Sequence, residues 1–286
     1  MQKGVRFRMY PNKEQQNLIN RTFGCCRLVY NKALDIRNKA YSDGEKAGYS
    51  QTSAMLTELK KQDEFAFLRE VDSIALQQSL RDLDNGFTRF FRKLAEQPVF
   101  KGKHCNYQSY RTQNQSDNIR IVGKYLKLPK LGYVKIKQSM EVGHINSVTV
   151  ERVPSGKYFA VLNVDFEPVH RPNNGGAVGI DMGVKVFYTD SNGNTVPNPK
   201  YLEKSAKKLA HEQRKLSRKK KGSRNRNRQR IKVALVHEKI ANQRNDFLQK
   251  QSTILVRENQ TICIEDISVK KLLLSKADES VAKKTP

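Results

Sequence analysis

Cysteine is scarce in this chain. Cys25, Cys26, Cys105 and Cys263 are the only four, and no two have the two-residue gap through which one turn presents a pair of thiolates to zinc. Neither a zinc ribbon nor a disulfide framework is expected, and no bound zinc is expected. Long apolar runs are missing as well. No stretch is apolar enough over enough length to span a bilayer, and Met1-Gln2-Lys3-Gly4-Val5-Arg6-Phe7-Arg8 lacks the apolar segment of a signal peptide. The expected setting is therefore cytoplasmic, beside the nucleoid of a prokaryotic cell, with no membrane partner. No glycine-rich loop precedes a helix and no nucleophile elbow surrounds a Ser or Cys, which removes nucleotide hydrolysis and acyl transfer. His104, His144, His170, His211 and His237 are scattered without ligand spacing and read as ordinary polar residues.

Acidic residues are also in short supply. Lys and Arg outnumber Asp and Glu by 54 to 28, a net charge of +26 over 286 residues, and such an excess repels itself unless a polyanion neutralises it. Nucleic acid is the partner this implies. Hydrophobic residues make up only 37% of the chain, enough for two or three compact units with modest cores and a large polar surface.

The residues that are present fall into three textures. Val5 to Tyr10 alternates apolar and basic as a short strand does, and Pro11-Asn12-Lys13-Glu14 opens a helix. Leu18, Ile19, Phe23, Leu28, Val29, Tyr30 and Leu34 then recur at helical spacing. So do Leu76, Leu80, Leu83, Phe87, Phe90, Phe91 and Leu94 within a second helix over about 74–94, where they read as packing core. From Val99 onward short extended runs follow, at 119–122, 125–128, 133–136, 148–152 and 158–166, the pattern of a small antiparallel barrel or sandwich. The strand at Val5 precedes the helices, so residues 11–94 read as a helical lobe inserted into a β unit made of 1–10 and 95–170. Arg171-Pro172-Asn173-Asn174-Gly175-Gly176 is the clearest linker, and a further domain, 177–286, begins after it.

In that last domain a meander of three strands, with a hairpin turn at Asp190-Ser191-Asn192-Gly193-Asn194, leads into helix from about Pro199 to Glu258 and then into a buried strand at 262–265. This is the element order of an RNase H-like fold. Two acids stand at its strand ends. Asp181 closes Ala177-Val178-Gly179-Ile180 and precedes Met182-Gly183, and Glu265 closes Ile262-Cys263-Ile264. An Asp followed by a turn glycine is common at sheet edges. A second acid at the end of a distant apolar strand adds a chemical reading, because two-metal phosphodiester hydrolysis needs acidic ligands from different elements converging on ions about 4 Å apart. Asp181 and Glu265 are therefore the candidate catalytic residues and magnesium ligands. Asp266 faces the other side of its strand by the period of two and reads as a cap or solvated acid.

The stretch from Lys200 to Lys232 concentrates the positive charge, with Arg214, Lys215, Arg218, Lys219, Lys220, Lys221, Arg224, Arg226, Arg228 and Arg230 around a Gly-Ser tip. That density suits phosphate contacts on a helical hairpin, giving affinity without sequence readout.

Four separated segments in order resemble the TnpB family, the OrfB-type insertion-sequence proteins often labelled transposases and related to the type V CRISPR effectors. They are Tyr10-Pro11-Asn12-Lys13-Glu14-Gln15 with Phe23-Gly24-Cys25-Cys26-Arg27-Leu28-Val29-Tyr30-Asn31, then Leu126-Lys127-Leu128-Pro129-Lys130-Leu131-Gly132-Tyr133-Val134-Lys135, then Gly179-Ile180-Asp181-Met182-Gly183-Val184-Lys185, and finally Ile264-Glu265-Asp266-Ile267. The resemblance implies an α+β multidomain chain: a wedge β-barrel with an inserted helical recognition lobe, followed by an RNase H-like (RuvC) α/β domain. It also implies a guide RNA derived from a transposon end, a double-stranded DNA target, and Asp181 and Glu265 as the first and second RuvC carboxylates. Family members continue into a four-cysteine zinc ribbon and a last helix with a third aspartate, and neither follows Glu265 here. The expectation is therefore a truncated member with an incomplete RuvC domain, a weak or partial magnesium site, guided binding, and DNA cleavage lost or impaired. Two alternatives stay open, an active nuclease whose third ligand is Asp278, Glu279 or a partner's, and a basic nucleic-acid-binding protein with no guide.

Overall fold

A computed structural model describes residues 1–103, 105, 107–168 and 175–265. The chain divides into two compact units, Met1–Pro168 and Val169–Pro286.

In the first unit the order is β1 (Gln2–Tyr10), α1 (Lys13–Ser42), α2 (Tyr49–Lys61), a 3₁₀ turn at Asp63–Arg69, and α3 (Ser73–Phe91). Six strands follow: β2 (Gln108–Gln113), β3 (Arg120–Val122), β4 (Tyr125–Leu128), β5 (Gly132–Lys137), β6 (Ile145–Arg152) and β7 (Tyr158–Asp165). They form one antiparallel sheet in the order β2-β6-β7-β1-β5-β4-β3. The first strand of the chain sits in the middle, with Val5, Phe7 and Met9 opposite Leu162, Ala160 and Tyr158 of β7. The helices are thus an insertion within the sheet's own sequence. They do not close on a core of their own: Ile19, Val29 and Leu34 of α1 and Leu76 and Leu80 of α3 belong to the same buried cluster as Phe7, Leu126, Val134, Val148 and Leu162 of the sheet. Among the described residues the sheet ends at two edges, β2 and β3, so the expected barrel is an open, curled sheet.

Local chemistry accounts for two of the sequence motifs. Asn12 caps α1, its side chain accepting from the Gln15 amide at 2.8 Å while the Gln15 side chain accepts from the Asn12 amide at 3.0 Å. The same Gln15 side chain donates to the carbonyls of Leu131 and Tyr133, at 3.2 and 2.9 Å, and so ties the helix start to β5. Further along the helix, Cys25 and Cys26 are buried in α1, and Asn31 exchanges two hydrogen bonds with the backbone of Lys101, whose ammonium lies 3.9 Å from the Tyr30 ring centre. Burial lowers the Lys101 pKa and raises that of Cys26.

The structure departs from the sequence reading of this unit at two further places. Leu76, Leu80, Leu83 and Phe87 are core as expected, but Phe91 and Leu94 are each 66% exposed because α3 ends at Phe91 and the chain turns away. Strand β2 was not legible: of Gln-Ser-Tyr-Arg-Thr-Gln only Tyr110 and Thr112 face inward, and polar residues at the other positions hide the alternation.

The second unit runs β8 (Ala177–Met182), β9 (Val186–Asp190), β10 (Thr195–Pro197), α4 (Tyr201–Ser217), α5 (Arg224–Glu258) and β11 (Thr261–Ile264). The sheet order is β10-β9-β8-β11, antiparallel except that β11 lies parallel to β8. Its core is small: Val178, Ile180 and Tyr188, backed by Leu255 of α5 and Ile262 of β11. Strand β11 is not the buried strand that its apolar run suggested. Among the described residues it is an edge strand, and Cys263 and Ile264 are exposed, Ile264 at 62%. An apolar run reads as buried on both faces only where layers cover both, and the described residues supply one.

Candidate metal centre and nucleic-acid surface

The described pairing of β11 with β8 runs up to the two acids. Thr261, Ile262, Cys263 and Ile264 stand opposite Ala177, Val178, Gly179 and Ile180, the last described rung, and Glu265 and Asp181 are the residues that follow it on the two strands. Both acids are exposed, and both fall by the period of two on the sheet face opposite Val178 and Ile180. They stand at the carboxyl ends of parallel strands, where open α/β sheets take their ligands.

The glycine of the Asp-x-Gly motif has a steric reason. A Cβ on Gly183 would lie 2.8 Å from the Val186 carbonyl oxygen, and the Gly183 amide donates to the Phe187 carbonyl at 3.3 Å. Only glycine lets the chain double back this tightly and leave Asp181 at the strand end. Asp190, one residue beyond the Thr189 that faces Asp181, is no additional ligand because the hairpin turn occupies it. Its carboxylate accepts from the amides of Asn192 and Asn194 and from the Asn194 side chain, at 2.9, 2.8 and 2.9 Å. The Asn194 side-chain hydrogen bond is the main cause that holds its pKa below the usual carboxylate range. Among the described residues no three of His, Cys, Asp and Glu cluster as a metal site. His104, His170, Asp266, Asp278 and Glu279 lie outside the described residues. The sequence reading left Thr189 and Cys263 unassigned, though both share the face of the acid pair; counting back by two from Glu265 would have found the cysteine.

The basic segment forms an antiparallel helical hairpin. No residue of α4 is buried, and Arg214, Lys215, Arg218, Lys220, Lys221, Arg224, Arg228 and Arg230 are exposed, with Lys219 half-buried. Ser223 caps α5 by accepting from the Arg226 amide at 3.2 Å. Arg226 departs from the expected phosphate-binding set. It is half-buried, and its guanidinium donates to the carbonyls of Leu216 and Lys219 at 2.8 and 3.0 Å, closing the end of α4. Lower in the hairpin the buried Gln229 side chain donates to the backbone and carboxylate of Glu212, and that bond is the main cause lowering the Glu212 pKa.

These features define a basic mixed α/β protein with an exposed cationic helical hairpin and two exposed carboxylates near neighbouring strand ends. Comparison with known proteins gives the family. The family described as "Probable transposase" (OrfB of IS605) matches residues 147–276, and the associated "Helix-turn-helix domain" matches residues 1–46. In this structure that second match folds as one strand followed by one continuous 30-residue helix. A "Putative RNA-guided DNA endonuclease" of Streptomyces pristinaespiralis is 42% identical over 96% of this chain and 69% of its own length. The "Putative RNA-guided DNA endonuclease InsQ" of Escherichia coli (strain K12) is 35% identical over 95% of this chain and 68% of its own. Among solved structures, a chain of "Cryo-EM structure of CRISPR-Cas12f Ternary Complex" is a distant likeness, with a TM-score of 0.36 and 12% identity over 89% of this chain and 63% of that one. The chain belongs to the TnpB family.

Proposed function

We propose that this chain is an RNA-guided DNA-binding protein whose Asp181 and Glu265 belong to a metal-dependent phosphodiester-cleaving site. The observation that supports the chemistry is the parallel register of β11 on β8, whose last described rung, Ile264 opposite Ile180, lies one residue short of Glu265 and Asp181. Two exposed carboxylates are hard oxygen donors with room for water, which suits magnesium better than a softer ion. A bound divalent ion would supply charge stabilisation at a phosphodiester. The chain's own residues do the rest: Asp181 and Glu265 hold and orient the ion, Gly183 fixes the strand end, and the hairpin cations bind phosphate without reading sequence.

Guided binding is the activity the described residues support best, and they supply two of the acidic ligands that cutting would use. Two carboxylates hold one hydrated ion more readily than the pair of ions that in-line displacement uses. The relatives' printed names favour the second reading, an active endonuclease completed by a further ligand. The test is cleavage of a matched plasmid with magnesium by the protein carrying its copurified RNA, alongside Asp181→Ala. Specific retention of the plasmid with little cutting supports the proposal. Efficient cutting that Asp181→Ala abolishes establishes the second reading, and absence of any one enriched RNA in the purified protein removes the guide.

A further inference from the structure

The outer face of the first unit's sheet carries a pattern that neither the acid pair nor the basic hairpin uses. Val134, Ile136, Leu126 and Leu128 point into the core, so the alternate residues of β5 and β4 point out. Register sets those outward residues in rows. Tyr10 of β1 stands opposite Lys135, which stands opposite Tyr125; Tyr133 stands opposite Lys127; and Arg8 stands opposite Lys137. Tyr10, Tyr125 and Tyr133 are 49%, 47% and 51% exposed, unusual for three large rings on one sheet face. A cavity of about 480 Å³ opens beside Tyr10, between Lys124, Lys135 and Lys137.

The three rings differ in what they meet, the Arg8 guanidinium lying 5.5 Å from the Tyr10 ring centre. Phe159, further across the same face, is covered by the Arg6 and Arg8 guanidiniums at 3.8 and 5.0 Å. Tyr125 and Tyr133, by contrast, meet no hydrogen-bond or ring partner with their side chains among the described residues. Protein interfaces are depleted in lysine at their centres, whereas here lysine alternates with the rings, so charge complementarity selects a polyanion. A duplex hides the faces of its bases, and rings interleaved with cations match unpaired bases joined by phosphates.

We infer that Tyr10, Tyr125 and Tyr133 form a stacking platform for a single-stranded nucleic-acid segment, with Lys127, Lys135 and Lys137 on its phosphates. This deepens the nucleic-acid part of the reading above by naming a single-stranded partner, and it needs neither a guide nor cleavage. The test uses the full chain and labelled oligo(rU), oligo(dT) and a duplex, each of about 12 nucleotides, within the site sizes such platforms cover. Replacing the three tyrosines by alanine should weaken single-strand binding by at least about tenfold, and three phenylalanines should restore it, because stacking needs the ring and not the hydroxyl. Duplex binding, carried by the hairpin, should stay within about twofold. The ratio of oligo(rU) to oligo(dT) affinity says whether RNA or DNA is preferred. Equal losses on single strand and duplex, or none on either, would overturn the inference. Independently of any variant, ultraviolet crosslinking of a 4-thiouridine oligonucleotide to the unmodified protein should label peptides holding Tyr10, Tyr125 or Tyr133; labelling confined to residues 201–258 would overturn it too. Failure to find a guide RNA would sink the proposed function and leave these results standing.

Discussion

The two units are built on opposite balances of core and charge. In the first, strands and helices from both sides of the insertion share one buried cluster that runs from Val5 to Val164. In the second, Val178, Ile180 and Tyr188 are the buried centre of the sheet, α4 has no buried residue, and the hairpin carries a dense set of exposed cations. Hydrophobic burial is the main favourable term in folding, so the first unit holds itself together while the second gains more from a polyanion that neutralises its hairpin. The contrast also separates two ways of meeting nucleic acid. On the two proposals above, the first unit contributes a sheet face and the second a charged arm.

The largest effect that could break this comparison is a core truncation in the first unit. Phe7 is 1% exposed in the central strand and packs with residues of both sheet and helices, so Phe7→Ala should destabilise the protein by about 3–5 kcal/mol. Denaturant unfolding without RNA measures it. A loss well under that range would mean that the shared core is looser than its burial implies.

A pair of glycine substitutions sharpens the comparison at smaller magnitude. Gly24 lies within α1 with nothing within 4 Å of the place an added methyl would take, so Gly24→Ala should stabilise by up to about 1 kcal/mol. Gly183→Ala forces a Cβ to within 2.8 Å of the Val186 carbonyl oxygen, a backbone clash that should cost about 1–3 kcal/mol and disturb Asp181. Thermal unfolding of the two variants decides the signs, and magnesium titration of Gly183→Ala should show weaker binding. Opposite signs at two motif glycines would separate a helix position with room to spare from a turn the site depends on.

Much of this was legible in the sequence because it rested on local periodicity. Helices α1 and α3, the helical hairpin and the turn at Asp190 follow from a period of 3.6 and from turn residues. What was not legible depended on position within a sheet. Whether Ile262 to Ile264 lies in the centre or at an edge, and whether the sheet closes, are decided by partners far away in the chain. The tyrosine face escaped for the same reason: Tyr10, Tyr125 and Tyr133 lie on three strands, and only the register sets them side by side. Arg226 is a different case, since composition cannot show that its guanidinium also closes a helix end.

That difference yields the smallest and most selective prediction. Arg226 and Arg228 are two residues apart in one basic run, yet Arg226 donates to the Leu216 and Lys219 carbonyls while Arg228 is exposed. Losing two hydrogen bonds from a charged donor at a half-exposed site should cost about 1 kcal/mol, so Arg226→Ala should lower the unfolding midpoint of the free protein. Arg228→Ala should leave that midpoint unchanged and instead weaken binding to all sequences alike, lowering the slope of log affinity against log salt by about 1. Arg226→Ala should shift that slope less, because its guanidinium is already committed to the tip. Thermal unfolding without RNA and affinity at several salt concentrations test both variants together. If the two behave alike in both measurements, the hairpin tip is held by something other than Arg226, and the run is a uniform phosphate-binding surface after all.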